Sequence, residues 1–159
     1  MVVGRDAPYV EVTSGDYLKE LEWLIGEWTP AVKDSPLRIK FEWLAQQNFI
    51  RNTFVVTHEG EGSLTGGQII GWHPKQGRIV SWHFDAQGGF GNDVWIKDGT
   101  KWVIEATGMF RDGSESSSVN ILTPLDADSF TWQSTNRKLE GVSLPDTQPV
   151  KIVRVPSGK

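Results

Sequence analysis

Between residues 37 and 155 the chain repeats one unit: five to ten residues of strand composition, then a short cluster of Gly, Asp, Asn, Pro or Lys. "LRIKFEW" shows it most cleanly. Leu37, Ile39, Phe41 and Trp43 alternate against Arg38, Lys40 and Glu42, the period-two pattern of a strand with one buried face. Further runs fall at about 48–57, 64–72, 78–85, 89–97, 101–108, 115–123, 128–137 and 149–155, separated by "HPKQG", "KDGT", "RDGS" and "LDADS" among others. Connections this short join strands as antiparallel hairpins, because a parallel crossover needs a dozen or more residues. So many sequential strands must dispose of their edges, and closure into an up-and-down barrel removes the edges altogether. A two-sheet sandwich is the alternative; it needs longer connections, and only 138–148 is long enough to serve as one.

Upstream the period changes. In "SGDYLKELEWLIGEW", Leu18, Leu21, Ile25 and Trp28 recur at helical spacing with Leu24 beside them, while Lys19, Glu20, Glu22 and Glu27 take the other side. Ser14 or Asp16 is placed to cap this helix and Gly26 to end it. Residues 1–13, with Pro8 and the alternation Tyr9-Val10-Glu11-Val12, read as an extended arm or linker. The expectation is one domain over 14–159, all-β and antiparallel, with about 9–10 strands and one N-terminal helix.

Bulk properties exclude several classes. A net charge of -4 gives no reason to expect nucleic acid as a partner. The absence of cysteine removes disulfides, thiolate nucleophiles and thiolate metal sites. No apolar run approaches the roughly 20 residues of a membrane helix, and the first residues lack the apolar core of a signal peptide. The chain is expected to be soluble and not membrane-inserted, with the cytoplasm as the default compartment.

The tripeptide Gly26-Glu27-Trp28, after a short helix and ahead of the strands, resembles the G-x-W signature of the lipocalin and wider calycin superfamily. The resemblance implies a calycin-like barrel whose Trp28 packs at the closed end under an arginine from the last strand, for which Arg154 in "KIVRV" is positioned. A longer likeness runs through "LEWLIGEW", "QIIGWHPKQGRIVSWHFDAQGGFG", "WVIEATG" and "FTWQS". These stretches are similar to a bacterial group of calycin-like domains of unassigned function that occur alone or attached to a polyketide-cyclase-like domain. In that group aspartate is usual at the position of His73 and a small polar residue at that of His83, so the resemblance assigns no role to either histidine.

The stretch "SWHFDAQGGFG" brings Ser81, His83 and Asp85 to alternate positions. Alternate residues of a strand share a face but stand about 6.5–7 Å apart, whereas a nucleophile and its base must approach within about 3 Å, so this is not a linear triad. The strand reading puts Val80, Trp82 and Phe84 on the buried face, Ser81, His83 and Asp85 on the other, and starts a turn at Asp85. The competing reading has His83 lining a pocket, with Asp85 orienting its ring. His58, His73 and His83 lack the short spacing of a zinc motif, and no histidine follows His83 to serve as the late haem ligand of haem-binding calycins; no metal or other cofactor is expected. Among carboxylates, Glu105 and Asp93 are the candidates for a shifted acid, with Glu105 facing away from Trp102, Ile104 and Ala106. The glycine-rich "AQGGFGN" and "LTGGQ" precede no helix and read as turns or bends instead of phosphate loops.

Tryptophans within strands serve either a packed core or the wall of a pocket for a flat apolar molecule. Amides that alternate with aromatic residues favour a pocket, since a buried amide needs a partner. Asn120 shares a face with Ser116 and Ser118, Asn136 with Phe130, Trp132 and Ser134, and Asn92 with Phe90. The candidate ligand-binding residues are therefore Trp43, Trp72, Trp82, Phe90, Asn92, Trp102, Asn120, Trp132 and Asn136. The expected function is a barrel that binds a small apolar molecule, aromatic or lipid-like. One alternative is an isomerase- or cyclase-type enzyme on such a ligand, with His83 as acid or base and Asp85 its orienter. Another is an accessory domain that binds a partner protein or domain, or a second copy of itself, through an exposed apolar patch outside the barrel.

Overall fold

The protein is described by a computed structural model covering residues 16–156; the extended arm expected at 1–13 and the cap expected of Ser14 lie outside the described residues. Eleven strands come after one helix: β1 (Gly26–Pro30), β2 (Leu37–Leu44), β3 (Phe49–His58), β4 (Glu61–His73), β5 (Arg78–Asp85), β6 (Phe90–Asp98), β7 (Lys101–Met109), β8 (Glu115–Asp126), β9 (Ser129–Leu139), β10 (Val142–Leu144) and β11 (Val150–Arg154). All pairings are antiparallel. Consecutive strands pair from β1 to β9, and β11 then bridges β9 to β1, which closes a ten-stranded barrel. The short β10 lies on the same edge of β9 as β11, further along it.

Two strands escape the sequence reading. β1 has only five residues and ends at Pro30. The 138–148 segment is not a long crossover: β9 runs on to Leu139 and turns tightly at Glu140 and Gly141, both at positive φ, into β10. Pro145 and Pro149 then interrupt the ladder, since proline donates no N–H. One backbone bond remains, the Thr147 amide to the Ser134 carbonyl at 2.9 Å, and side chains supply the rest. Thr147 Oγ1 accepts the Ser134 amide at 2.9 Å, Asp146 Oδ1 accepts the Asn136 amide at 3.0 Å, and Gln133 Nε2 donates to the Thr147 carbonyl at 3.0 Å.

The helix, Asp16–Leu24, is a 3₁₀ helix. Leu18, Leu21 and Leu24 recur every third residue, which lines them up on one face when there are three residues per turn, and all three are buried. Ile25 and Trp28 lie beyond the end of the helix, outside its apolar stripe. Gly26 (φ 128°) turns the chain into β1, and a β-carbon there would meet the Arg154 guanidinium at 2.6 Å. Only glycine fits. Beside it Trp28 is fully buried, its indole N–H donating to the Leu24 carbonyl at 2.7 Å. The Arg154 guanidinium lies 4.2 Å from the Trp28 ring and donates to the carbonyls of Ile25, Trp23 and Ala127. This is the tryptophan–arginine pair expected of the calycin resemblance.

The helix covers one end of the barrel. Its leucines join Trp28, Ile50, Ile70, Trp95, Trp102, Leu122 and Phe130 in a single core, Tyr17 stacks on Trp72 with ring centroids 4.6 Å apart, and Trp23, Trp28 and Phe130 meet edge to face.

Candidate binding cavity

Above this packed end the barrel is not filled. A cavity of about 600 Å³ extends from Trp95, Ile104, Leu122 and Phe130 towards the far rim, where Pro30, Phe54, Gly108 and Ser116 border it. The volume falls within the ~300–1,000 Å³ of ligand sites. Most of the wall is apolar: Leu37, Ile39, Phe41, Phe54, Trp132, Val150 and Ile152. Polar groups come from β3, β4 and β5 as Asn52, Gln68 and His83, which are consecutive cross-strand partners, and from β8 as Ser116, Ser118 and Asn120.

The inside and outside of β5 are the reverse of the sequence expectation. Ser81 is fully buried and His83 faces the cavity, whereas Trp82 and Phe84 are about half exposed on the outer surface, with only Val80 buried as expected. Glycines on β4 explain the preference. The Phe84 ring lies 3.1 Å from the point a Gly67 β-carbon would occupy, and the rings of Phe49 and Trp82 cover Gly71. The outward aromatic rings thus pack on bare backbone, and the inner face of β5 is left for polar groups.

Those polar groups form one chain. Trp95 Nε1–H donates to Ser81 Oγ (2.9 Å), Ser81 Oγ–H donates to Asp93 Oδ2 (2.6 Å), and His83 Nδ1–H donates to Asp93 Oδ1 (2.8 Å). Asp93 is 5% exposed. A carboxylate only accepts, so the proton of this bond sits on Nδ1 and Nε2 is left towards the cavity. The hydrogen bond to Asp93 raises the His83 pKa above its ordinary 6.5; burial opposes this, and the charges of Asp93 and Asp85 reinforce it. The ring lies over two glycines: a β-carbon on Gly91 would come within 2.7 Å of Cε1, and one on Gly108 within 3.1 Å of Nε2.

Asp85 does not orient His83. It is exposed, and its Oδ1 accepts the amides of Gln87 (2.8 Å) and Gly89 (2.9 Å), holding the turn that the sequence placed there. Asp93, on the neighbouring strand, does the orienting. Ser81 spends its proton on Asp93 and has no surface of its own, so it offers no nucleophile.

Of the nine candidate ligand residues, Asn120 and Trp132 stand on the cavity wall. Trp102 packs in the core against Trp95, Trp72 lies under Tyr17, and Trp43 packs at the margin of the core. Trp82, Phe90 and Asn92 face outwards and, with Thr107, Met109 and Lys138, line a groove of about 650 Å³ on the outer surface. Asn136 leaves the face of Trp132 because of a bulge: Asn136 and Arg137 together oppose Ser118, and Asn136 takes a left-handed φ of 46°. That extra residue turns Asn136 out at the rim. The wall residues absent from the candidate set, Asn52, Gln68 and Asp93, carry the same signal used for the others, a polar side chain in period-two register with apolar ones: Ile50-Asn52-Phe54, Gln68-Ile70-Trp72 and Asp93-Trp95.

Glu105 is exposed opposite Trp102 and Ile104, as expected. Among the described residues no three His, Asp or Glu side chains converge as a metal site would require, and no helix is long and apolar enough to cross a membrane. Compared with known proteins, the chain matches no family model and no curated protein. The closed antiparallel barrel, the capping helix and the Trp28–Arg154 pair are consistent with a calycin-like fold.

Proposed function

We propose that the barrel binds one small, largely apolar molecule, aromatic or lipid-like, whose polar end meets the row Asn52–Gln68–His83. The supporting observation is the cavity: about 600 Å³ of unfilled space, apolar over most of its wall, with polar groups gathered on two sides. A barrel evolved only for packing would fill that space, because interiors otherwise reach the density of organic crystals. The test combines native mass spectrometry of the purified protein with tryptophan fluorescence during titration by a panel of apolar aromatic and lipid compounds. The expected result is a retained molecule, or quenching that saturates at one equivalent and is weakened in Ser118→Trp, which narrows the cavity. A protein empty and unresponsive to the whole panel refutes the reading.

A second reading is favoured by the His83–Asp93 pair. A histidine held by a buried carboxylate, with its other nitrogen facing a ligand cavity, is the arrangement of a general acid or base. On this reading the protein is an isomerase- or cyclase-type enzyme, in keeping with the likeness to domains that accompany polyketide-cyclase-like ones. Asp93 takes the orienting role that the sequence suggests for Asp85. Turnover lost in His83→Ala with ligand binding retained supports the enzyme; binding with no turnover supports the carrier.

A further inference from the structure

We infer that Asn52 anchors the ligand, and that the ligand carries a hydrogen-bond donor, a hydroxyl or an N–H, which the Asn52 carboxamide oxygen accepts. This rests on the reading of the cavity as a binding site and specifies its ligand class.

Asn52 is 1% exposed and stands on the cavity wall between Ile50 and Phe54, opposite Phe41 on β2 and Gln68 on β4. Its Oδ1 is the one buried side-chain oxygen or nitrogen with no hydrogen-bond partner among the described residues. Buried polar atoms are almost always paired, and one left unpaired forfeits its hydration without return. The carboxamides of Gln68 and Asn120 share this chemistry but leave no buried, unpartnered atom, and the remaining polar groups of the wall are less demanding. Hydroxyls of Ser116 and Ser118 rotate to donate or accept, and His83 Nε2 does either according to protonation. A carboxamide oxygen only accepts. A hydrocarbon, ester or ketone leaves it unpaired, a carboxylate repels it, and a hydroxyl or N–H satisfies it. The donor end of the ligand is thereby placed on β3, one strand from Gln68 and two from His83, with its body against the apolar wall; as Asn52 is 1% exposed, its carboxamide turns towards the cavity to meet the donor.

The test uses para-phenylphenol, its methyl ether and biphenyl, titrated calorimetrically into wild type and Asn52→Leu. Wild type should bind the phenol roughly five- to tenfold tighter than the ether or biphenyl, the ratio that one neutral hydrogen bond supplies. Asn52→Leu should bind all three alike, and biphenyl at least as tightly as wild type does. Asn52→Ala gives the same comparison if the leucine variant does not fold. Binding of all three to wild type without discrimination overturns this inference and leaves the binding barrel standing. Discrimination that survives in the Asn52 variants but vanishes in His83→Ala makes His83 Nε2 the acceptor of the phenol hydroxyl and overturns it too. Failure of all three to bind wild type removes the cavity reading beneath it.

Discussion

Asp93 uses both carboxylate oxygens, one to accept from Ser81 and one from His83, so its charge is matched by two donors although it is buried. Removing the charge while keeping the shape isolates what it does to the ring. Because the folded pKa of His83 is raised above 6.5, its stabilising contribution is complete below 6.5 and is lost as pH rises through the folded value. Chemical denaturation of wild type across that window should therefore show stability falling with rising pH, and Asp93→Asn should flatten the slope and lower the His83 midpoint followed by NMR. An unchanged midpoint would show that Asp93 does not set the ring. At this scale the sequence is least legible. Trp82 and Phe84 are more hydrophobic than Ser81 and His83, so burying them looks cheaper; that Gly67 and Gly71 lie beneath the aromatic rings is a cross-strand fact that one strand's pattern does not contain. Asn52 and Gln68 were readable by the rule applied to Asn120, since both alternate with apolar residues.

Elements are joined by turns whose backbone is more demanding than their sequences suggest. Ala45, Gln46 and Gln47, between β2 and β3, all take left-handed φ values of 49°, 57° and 68°, a conformation that costs a residue with a β-carbon about 1–2 kcal/mol. Gln47 is exposed at the tip. Gln47→Gly should accordingly raise stability by about 1 kcal/mol, less the entropy glycine adds to the unfolded chain; denaturant unfolding measures it, and destabilisation would mean that the turn is held by the glutamine side chain. Most strands were legible within a few residues because alternation and turn clusters agree. β10 was not, since Pro145 and Pro149 mark a loop in any sequence reading, and the compensating bonds of Asp146 and Thr147 form only against β9. The apolar spacing of Leu18, Leu21, Ile25 and Trp28 did announce a helix, although only the leucines fall within it. Its 3₁₀ form matches the three-residue spacing of Leu18, Leu21 and Leu24.

At the scale of the whole molecule, one guanidinium sits at the seam where β11 closes the barrel onto β1. Arg154 fills the space left by Gly26, covers Trp28 and satisfies three main-chain carbonyls. Arg154→Lys retains the charge but lacks the planar fork that reaches several acceptors, and should cost about 2–3 kcal/mol, one to two lost hydrogen bonds with the cation–π contact. Urea unfolding of the two proteins gives the number, and an indistinguishable lysine variant would reduce Arg154 to a point charge. The barrel itself was the most legible feature, because many short antiparallel strands have few ways to hide their edges. Its seam has a further consequence, in time instead of energy. Arg154 bonds the Ile25 carbonyl across 129 positions of chain, and β1 pairs with β11, so the barrel's first strand waits for its last. Until β11 has been made the growing sheet keeps two bare edges, and closing it requires an end-to-end contact of the kind that places such topologies among the millisecond-to-second folders. The helix and Trp28, made before the other strands of the barrel, wait for Arg154 until β11 is complete.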